Sequence, residues 1–246
     1  MATTAAIVVP AYRKYLEPQE RAGLTLSLGS LRRFPWYWVI PESMRLPPWD
    51  LPGGVQSQVV ALPDHHFQDV AAYSRLLLSP SFYRLFARYE FILIHQTDAI
   101  VLRDELDYWC SCPIDYVGAP WRSPWSLADL HLPLGFGRRF YVGNGGLSLR
   151  RVSAFRFLGA AFRPLARKWL ANEDLFWSVA VPGYWPFFRV PQREVALRFA
   201  WEEEPQACLN QSGGRLPFGS HAWRRYGEAF WINHFPALAP PPGETR

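Results

Sequence analysis

The 246-residue chain holds no window of about 20 consecutive apolar residues, so no segment reads as a membrane-spanning helix. Its opening residues, Met1-Ala2-Thr3-Thr4-Ala5, lack a basic segment ahead of an apolar run and do not read as a signal peptide. Cysteine is scarce: Cys110, Cys112 and Cys208 form an odd set without zinc spacing. That excludes a disulfide scaffold and points to reduced thiols in a cytoplasmic protein. Long blocks of like charge are missing too. The basic residues come in scattered pairs, as at Arg32-Arg33, Arg138-Arg139, Arg150-Arg151 and Arg224-Arg225. With no helix-turn-helix, zinc-finger or RNP signature, nucleic acid is a poor partner. The net charge of +5 and pI of 9.3 suit small anionic ligands or a lipid-phosphate surface instead.

What is present is apolar mass: 49% of residues are hydrophobic and 16% aromatic, enough for one large core. Ala5–Val9 reads as a buried strand ending at the turn Pro10-Ala11-Tyr12, and Leu24, Leu28 and Leu31 give Pro18–Arg33 helical spacing. Tyr37–Ile40 and Val59-Val60 read as further strands. Tyr73–Leu78 and Ser81–Arg88 read as helices broken at Pro80, and Phe91–Ile94 as a strong buried strand. Such alternation predicts an α/β fold with a mostly parallel sheet flanked by helices. Beyond it, Asp115–Val117 and Leu147–Leu149 read as strands and Val152–Phe162 as a helix. Ser123–Phe140 reads as a loop, and Pro236–Arg246 as a disordered tail.

Four places carry candidate chemistry. The first is His95-Gln96-Thr97-Asp98-Ala99, after the central strand, where open α/β sheets gather ligands. Asp98 suits either a hard metal ion or the cap of a turn, while Asp104 favours a helix cap. The second is Gly143-Asn144-Gly145-Gly146, whose glycines admit close backbone approach and whose Asn suits sugar hydroxyls. It is either a ligand loop or an ordinary tight turn, and it lacks the Gly-Lys-Ser/Thr ending of a phosphate P-loop. The third is Asn172-Glu173-Asp174. One of its carboxylates suits a general base, or the group serves a helix start. The fourth is His221, in Gly219-Ser220-His221, a metal ligand or a histidine bonded to a carbonyl.

In this order the four features resemble the GT-A glycosyltransferases. More closely, they resemble a GT-A-like family of bacterial and fungal proteins known as a domain of unknown function. The matching stretches are Ile7–Tyr12, Ala72–Ser79, Gln96–Ala99, Tyr108–Cys110, Tyr116–Trp121, Gly143–Arg150, Glu173–Trp177 and Leu216–Trp223, across residues 5 to 231.

The resemblance implies one GT-A-like domain over residues 1–235. Residues 5–120 would be the nucleotide-sugar half and 121–235 the acceptor half. Pro10, Ala11, Tyr12, Tyr73, Arg75, Gln96, Asp98, Asn144, Gly145 and Gly146 would receive the donor. Asp98 and His221 would hold a divalent metal, Mn²⁺ or Mg²⁺. Asp174, with Glu173 beside it, would be the catalytic base of an inverting transfer. The expected partners are a nucleotide-sugar donor and a saccharide or lipid-linked acceptor in surface glycan synthesis, with peripheral contact at the inner membrane face.

One departure stands out: the family's Asp-x-Asp is here Thr97-Asp98-Ala99-Ile100, with a single carboxylate. It motivates a rival reading, a non-catalytic binder of nucleotide sugars with a pocket lined by Trp121, Trp125 and Trp177. A nucleotidyltransferase fits less well, because no Gly-rich basic loop follows the first strand.

Overall fold

The computed structural model describes residues 4–44, 57–133 and 137–239. Among the described residues eleven short strands form three sheets. In chain order they are β1 (Ala5–Pro10), β2 (Trp36–Pro41), β3 (Ser57–Leu62), β4 (Phe91–His95), β5 (Ile100–Val101), β6 (Tyr116–Val117), β7 (Pro120–Trp125), β8 (Phe140–Val142), β9 (Leu147–Arg151), β10 (Ala200–Trp201) and β11 (Gly219–Ser220). The main sheet has the order β3-β2-β1-β4-β9-β6. Its first four strands are parallel, and β9 runs antiparallel to both β4 and β6.

Both faces of this sheet are covered, which is why β1 and the Phe91–Ile94 part of β4 are apolar at successive positions rather than at alternate ones. Ile7 and Val9 of β1 face a cluster that holds Leu24, Leu28 and Leu31 from α1 (Pro18–Ser30) and its C-terminal end. Ala6 and Val8 face the opposite cluster. That one holds Leu76–Leu78 of α2 (Val70–Leu78), Phe82 of α3 (Pro80–Arg84) and, beyond α4 (Leu106–Ser111), Phe155 and Leu158 of α5 (Val152–Ala161). Burying each such side chain contributes about 1.5–3 kcal/mol.

The parallel sheet and its helices agree with the α/β expectation. Three local readings are corrected. The stretch expected as loop, Ser123–Phe140, begins inside β7, which pairs with β8 as an edge hairpin that tolerates Pro124; residues 134–136 lie outside the described residues. The expected tail starts with a 3-10 turn, Pro236–Leu238, and Leu238 is fully buried beside Trp231; residues 240–246 lie outside the described residues. Asp104 does not cap a helix but takes the Arg33 guanidinium at 2.8 Å.

The topology gathers several loops at one edge. β1 and β4 are parallel neighbours, so the segments after Pro10 and His95 leave the sheet side by side. Because β9 is antiparallel to β4, with Leu147 opposite His95, the Asn144–Gly146 turn enters at the same edge. In the small sheet β10-β11-β5, β10 and β11 are parallel and β5 is antiparallel to β11. Glu202 and His221, which follow β10 and β11, and Asp98, which precedes β5, therefore emerge together.

Candidate active site

A cavity of about 500 Å³ opens at this edge. Tyr12, Tyr73, Asp174, Glu202, His221 and Arg225 are among its lining residues. Tyr12 follows β1, and Tyr73 comes from α2; their ring centroids lie 6.5 Å apart.

His221 is the junction of the site. Its Nδ1 lies 3.2 Å from Glu202 Oε1. Its Nε2 lies 3.1 Å from Gln96 Oε1 and 3.4 Å from Asp98 Oδ1. Burial opposes a charged imidazole, but the Asp98 and Glu202 carboxylates outweigh it and push the His221 pKa up to about 9. Asp98 moves the other way: burial works against its charge, and the hydrogen bond from His221 brings its pKa below the usual carboxylate value. Nε2 and two oxygens thus meet at one point, where a shared proton or a metal ion would satisfy them.

Glu202 also accepts a hydrogen bond from Asn144 Nδ2, and Asn144 Oδ1 accepts from the Gly146 N–H at 3.0 Å. Both ends of the Asn144 amide are therefore used to hold Glu202 and the turn. The glycines make room mostly for the protein's own groups. A Cβ on Gly146 would overlap the His221 ring, and one on Gly145 would lie 2.7 Å from Glu173 Oε1. Backbone of both glycines still borders the cavity.

The two adjacent carboxylates have separate environments. Glu173 accepts the fully buried Arg150 guanidinium at 2.6 Å through Oε1, and the Asp174 N–H at 2.9 Å through Oε2. Arg150 is further fixed by Tyr83 Oη at 3.0 Å and Ser148 Oγ at 2.9 Å. Among the described residues Asp174 has no ion-pair partner; its Oδ1 accepts the Leu175 N–H at 2.7 Å. Burial, together with the charge on Glu173, pushes the Asp174 pKa up to about 8. This is the poise of a general base near neutral pH.

Of the expected site residues, Tyr12, Tyr73, Gln96, Asn144, Gly145, Gly146, Glu173, Asp174 and His221 border this cavity, and Asp98 meets it through His221. Pro10 and Ala11 are buried in the sheet edge behind Tyr12. Arg75 is not brought there: it points outward from α2, whose inward residues are Ala72, Ser74 and Leu76–Leu78. Asn172 starts its helix without a side-chain cap bond. The three tryptophans do not form a pocket here. Trp177 is fully buried against Phe155, and Trp121 and Trp125 pair with each other on β7. Three site residues escaped the sequence reading. Glu202 opens an acidic run, Glu202-Glu203-Glu204, that reads as a solvated surface, and Arg225 sits in a common basic pair. Arg13 bonds Glu20 at 2.6 Å and Thr97 Oγ1 at 2.5 Å, beside Asp98.

Among the described residues no group of three His, Cys, Asp or Glu side chains converges as a closed metal site. The donor set at Nε2 is narrower: one imidazole nitrogen, one carboxylate oxygen and one amide oxygen. That set suits a hard divalent ion that takes its remaining ligands from water and phosphate. Glu202 on Nδ1 then has the position of a carboxylate that orients a ligating imidazole.

A model of the family described as Protein of unknown function (DUF5672) matches residues 56–221. No curated protein matches the sequence. Among solved structures, the chain is similar to the galactosyltransferase LgtC in complex with donor and acceptor sugar analogs. The TM-score is 0.54 at 13% identity, over 95% of this chain and 94% of that one. The apo form of mouse xyloside xylosyltransferase 1 aligns with a TM-score of 0.53 at 12% identity, over 88% of this chain and 96% of that one. At such identities the likeness is one of fold, and the fold is that of the GT-A glycosyltransferases.

Proposed function

We propose that this chain, which belongs to the DUF5672 family of proteins of unknown function, transfers a sugar from a nucleotide-sugar donor to a hydroxyl acceptor. The observation that carries this reading is the meeting, around one cavity at the sheet edge, of two unlike sites. One is an Asp98–His221 pair placed to share a proton or a metal ion; the other is a buried Asp174 whose pKa is pushed up to about 8.

In this reading the donor's base and ribose lie against Tyr12 and Tyr73, and Arg225 faces its phosphates. The acceptor hydroxyl gives its proton to Asp174 as its oxygen attacks the anomeric carbon, and the bond from that carbon to the diphosphate oxygen breaks. A single displacement of this kind inverts the anomeric centre. Glu173 keeps Arg150 neutralised and orients Asp174 through its backbone N–H; it is a positioning residue. A divalent metal held by Asp98 and His221 would supply positive charge against the departing diphosphate. In this reading the acceptor is a saccharide or a lipid-linked sugar, and transfer takes place in the cytoplasm.

Asp174→Asn separates transfer from binding. The variant is expected to bind donor as the wild type does and to lose about 10²–10⁴ in turnover. Unchanged turnover removes Asp174 as the base. Tight donor binding with no turnover in the wild type, across acceptors, favours a nucleotide-sugar binding protein instead.

A further inference from the structure

Between Asp129 and Glu173 the sequence contains no carboxylate but eight Arg and Lys side chains, although the whole chain carries a net charge of only +5. Three of the eight are neutralised by acids from outside the stretch: Arg139 by Asp129, Arg150 by Glu173, and Arg151 by Glu90 and Asp115. Arg156, Arg163, Arg167 and Lys168 are exposed and have no ion-pair partner among the described residues. They follow one another along the outer face of α5 and the short helix Arg163–Ala166 with the turn beyond it.

Two large apolar side chains stand in the same stretch. Phe157, next to Arg156, is 64% exposed, and Leu170, two residues after Lys168, is 97% exposed. Arg84 of α3 joins Arg156 and Phe157 around a shallow depression of about 330 Å³, and it too has no acidic partner among the described residues. A single exposed Phe or Leu is ordinary on a protein surface. A Phe and a Leu set among unpaired cations, with carboxylates absent from 43 consecutive residues, form the amphipathic pattern of a surface that lies on an anionic bilayer.

We propose that α5 and the segment Arg163–Leu170 form a peripheral docking surface for anionic phospholipid. Arg156, Arg163, Arg167 and Lys168 would meet lipid phosphates, and Phe157 and Leu170 would enter the acyl boundary. No helix among the described residues is long and apolar enough to cross a membrane, so contact through this face would be reversible. Leu170 is two residues from Asn172, which borders the active-site cavity. A chain docked this way presents Asp174 beside the lipid surface, where a lipid-linked acceptor would arrive. That last consequence rests on the transfer reading; the docking itself does not.

The test is co-sedimentation of the full chain with phosphatidylcholine vesicles, with and without phosphatidylglycerol, in the absence of donor. Binding is expected only with phosphatidylglycerol and should weaken with salt, since the attraction is screened over about 8 Å at physiological ionic strength. The combined variant Arg156→Gln, Arg163→Gln, Arg167→Gln, Lys168→Gln should lose at least about tenfold in binding, given roughly fivefold per basic residue near a charged bilayer. Phe157→Ser with Leu170→Ser should also weaken vesicle binding while leaving binding to soluble heparin unchanged. Thermal melts of both variants, expected to match the wild type, show that the fold is kept. No binding to phosphatidylglycerol vesicles at low salt overturns the proposal. Vesicle binding that ignores the Phe157 and Leu170 changes but is competed away by heparin overturns it in favour of a soluble polyanion.

Discussion

Gly146→Ala is the substitution through which the site's geometry is most easily challenged. Gly146 does not have a positive φ, so its backbone accepts alanine without strain. The obstacle is space. The added Cβ would lie 2.5 Å from His221 Cε1 and closer still to Cδ2 and Nε2. Carbon atoms in contact sit about 3.5–4.0 Å apart, so the ring must retreat by roughly 1 Å or more. It cannot do so freely: Glu202 holds Nδ1 at 3.2 Å, and Gln96 faces Nε2 at 3.1 Å. Forcing a methyl into a packed site of this kind costs about 1–3 kcal/mol. A ring moved by about 1 Å at a reacting centre costs on the order of 10² in rate. Gly29→Ala is the control, because that helical glycine has open space around its Cβ position; it should stabilise the chain by about 0.5–1 kcal/mol. Urea melts and nucleoside diphosphate release from a donor measure both effects. A Gly146→Ala chain with wild-type stability and wild-type turnover would refute the role given to His221.

Four further outcomes follow from the same geometry. Glu173→Ala leaves Arg150 buried without its carboxylate and should cost about 3–5 kcal/mol in a denaturant melt, far more than Asp174→Asn, which strands no cation. The pH profile of kcat/KM should rise as pH climbs toward about 8, because Asp174 accepts a proton only once it has lost its own; in Asp174→Asn this rise should vanish. The stability of the wild type should fall over the same range, since a carboxyl whose folded pKa is raised above its unfolded value stabilises the fold at low pH and loses that contribution as pH climbs to about 8. Calorimetric titration with Mn²⁺ should show little binding to the chain alone and clear binding once a nucleoside diphosphate is present, because the protein offers only an imidazole, a carboxylate and an amide oxygen at Nε2. Tight Mn²⁺ binding without nucleotide would contradict that assignment.

The parts of the fold that were legible in the sequence are those where burial is complete. β1 and β4 show as the apolar runs Ala5–Val9 and Phe91–Ile94 because both sheet faces are covered, and α1 shows its leucine spacing because only one of its faces is. β7 was misread because Pro124 and polar neighbours look like loop, yet an edge strand accepts both. At the site, Asp98, Asp174 and His221 were visible through their order along the chain. Glu202 was not, because its role depends on β10 lying beside β11, a pairing across 19 residues that no local pattern announces. Arg150 is similar: it reads as half of a basic pair, but β9 turns it inward to Glu173, 23 residues away. Arg75 was placed at the donor by its neighbourhood in the chain, whereas the helical turn that buries Ser74 and Leu76 sends it outward.

The central claim is sugar transfer from a nucleotide donor, and the most direct measurement is release of nucleoside diphosphate from a panel of nucleotide sugars with Mn²⁺. At least one donor should be turned over by the wild type, with activity lost on removal of metal and in both Asp98→Asn and His221→Ala. Absence of binding and turnover with every donor, or turnover unchanged in both variants, would contradict it.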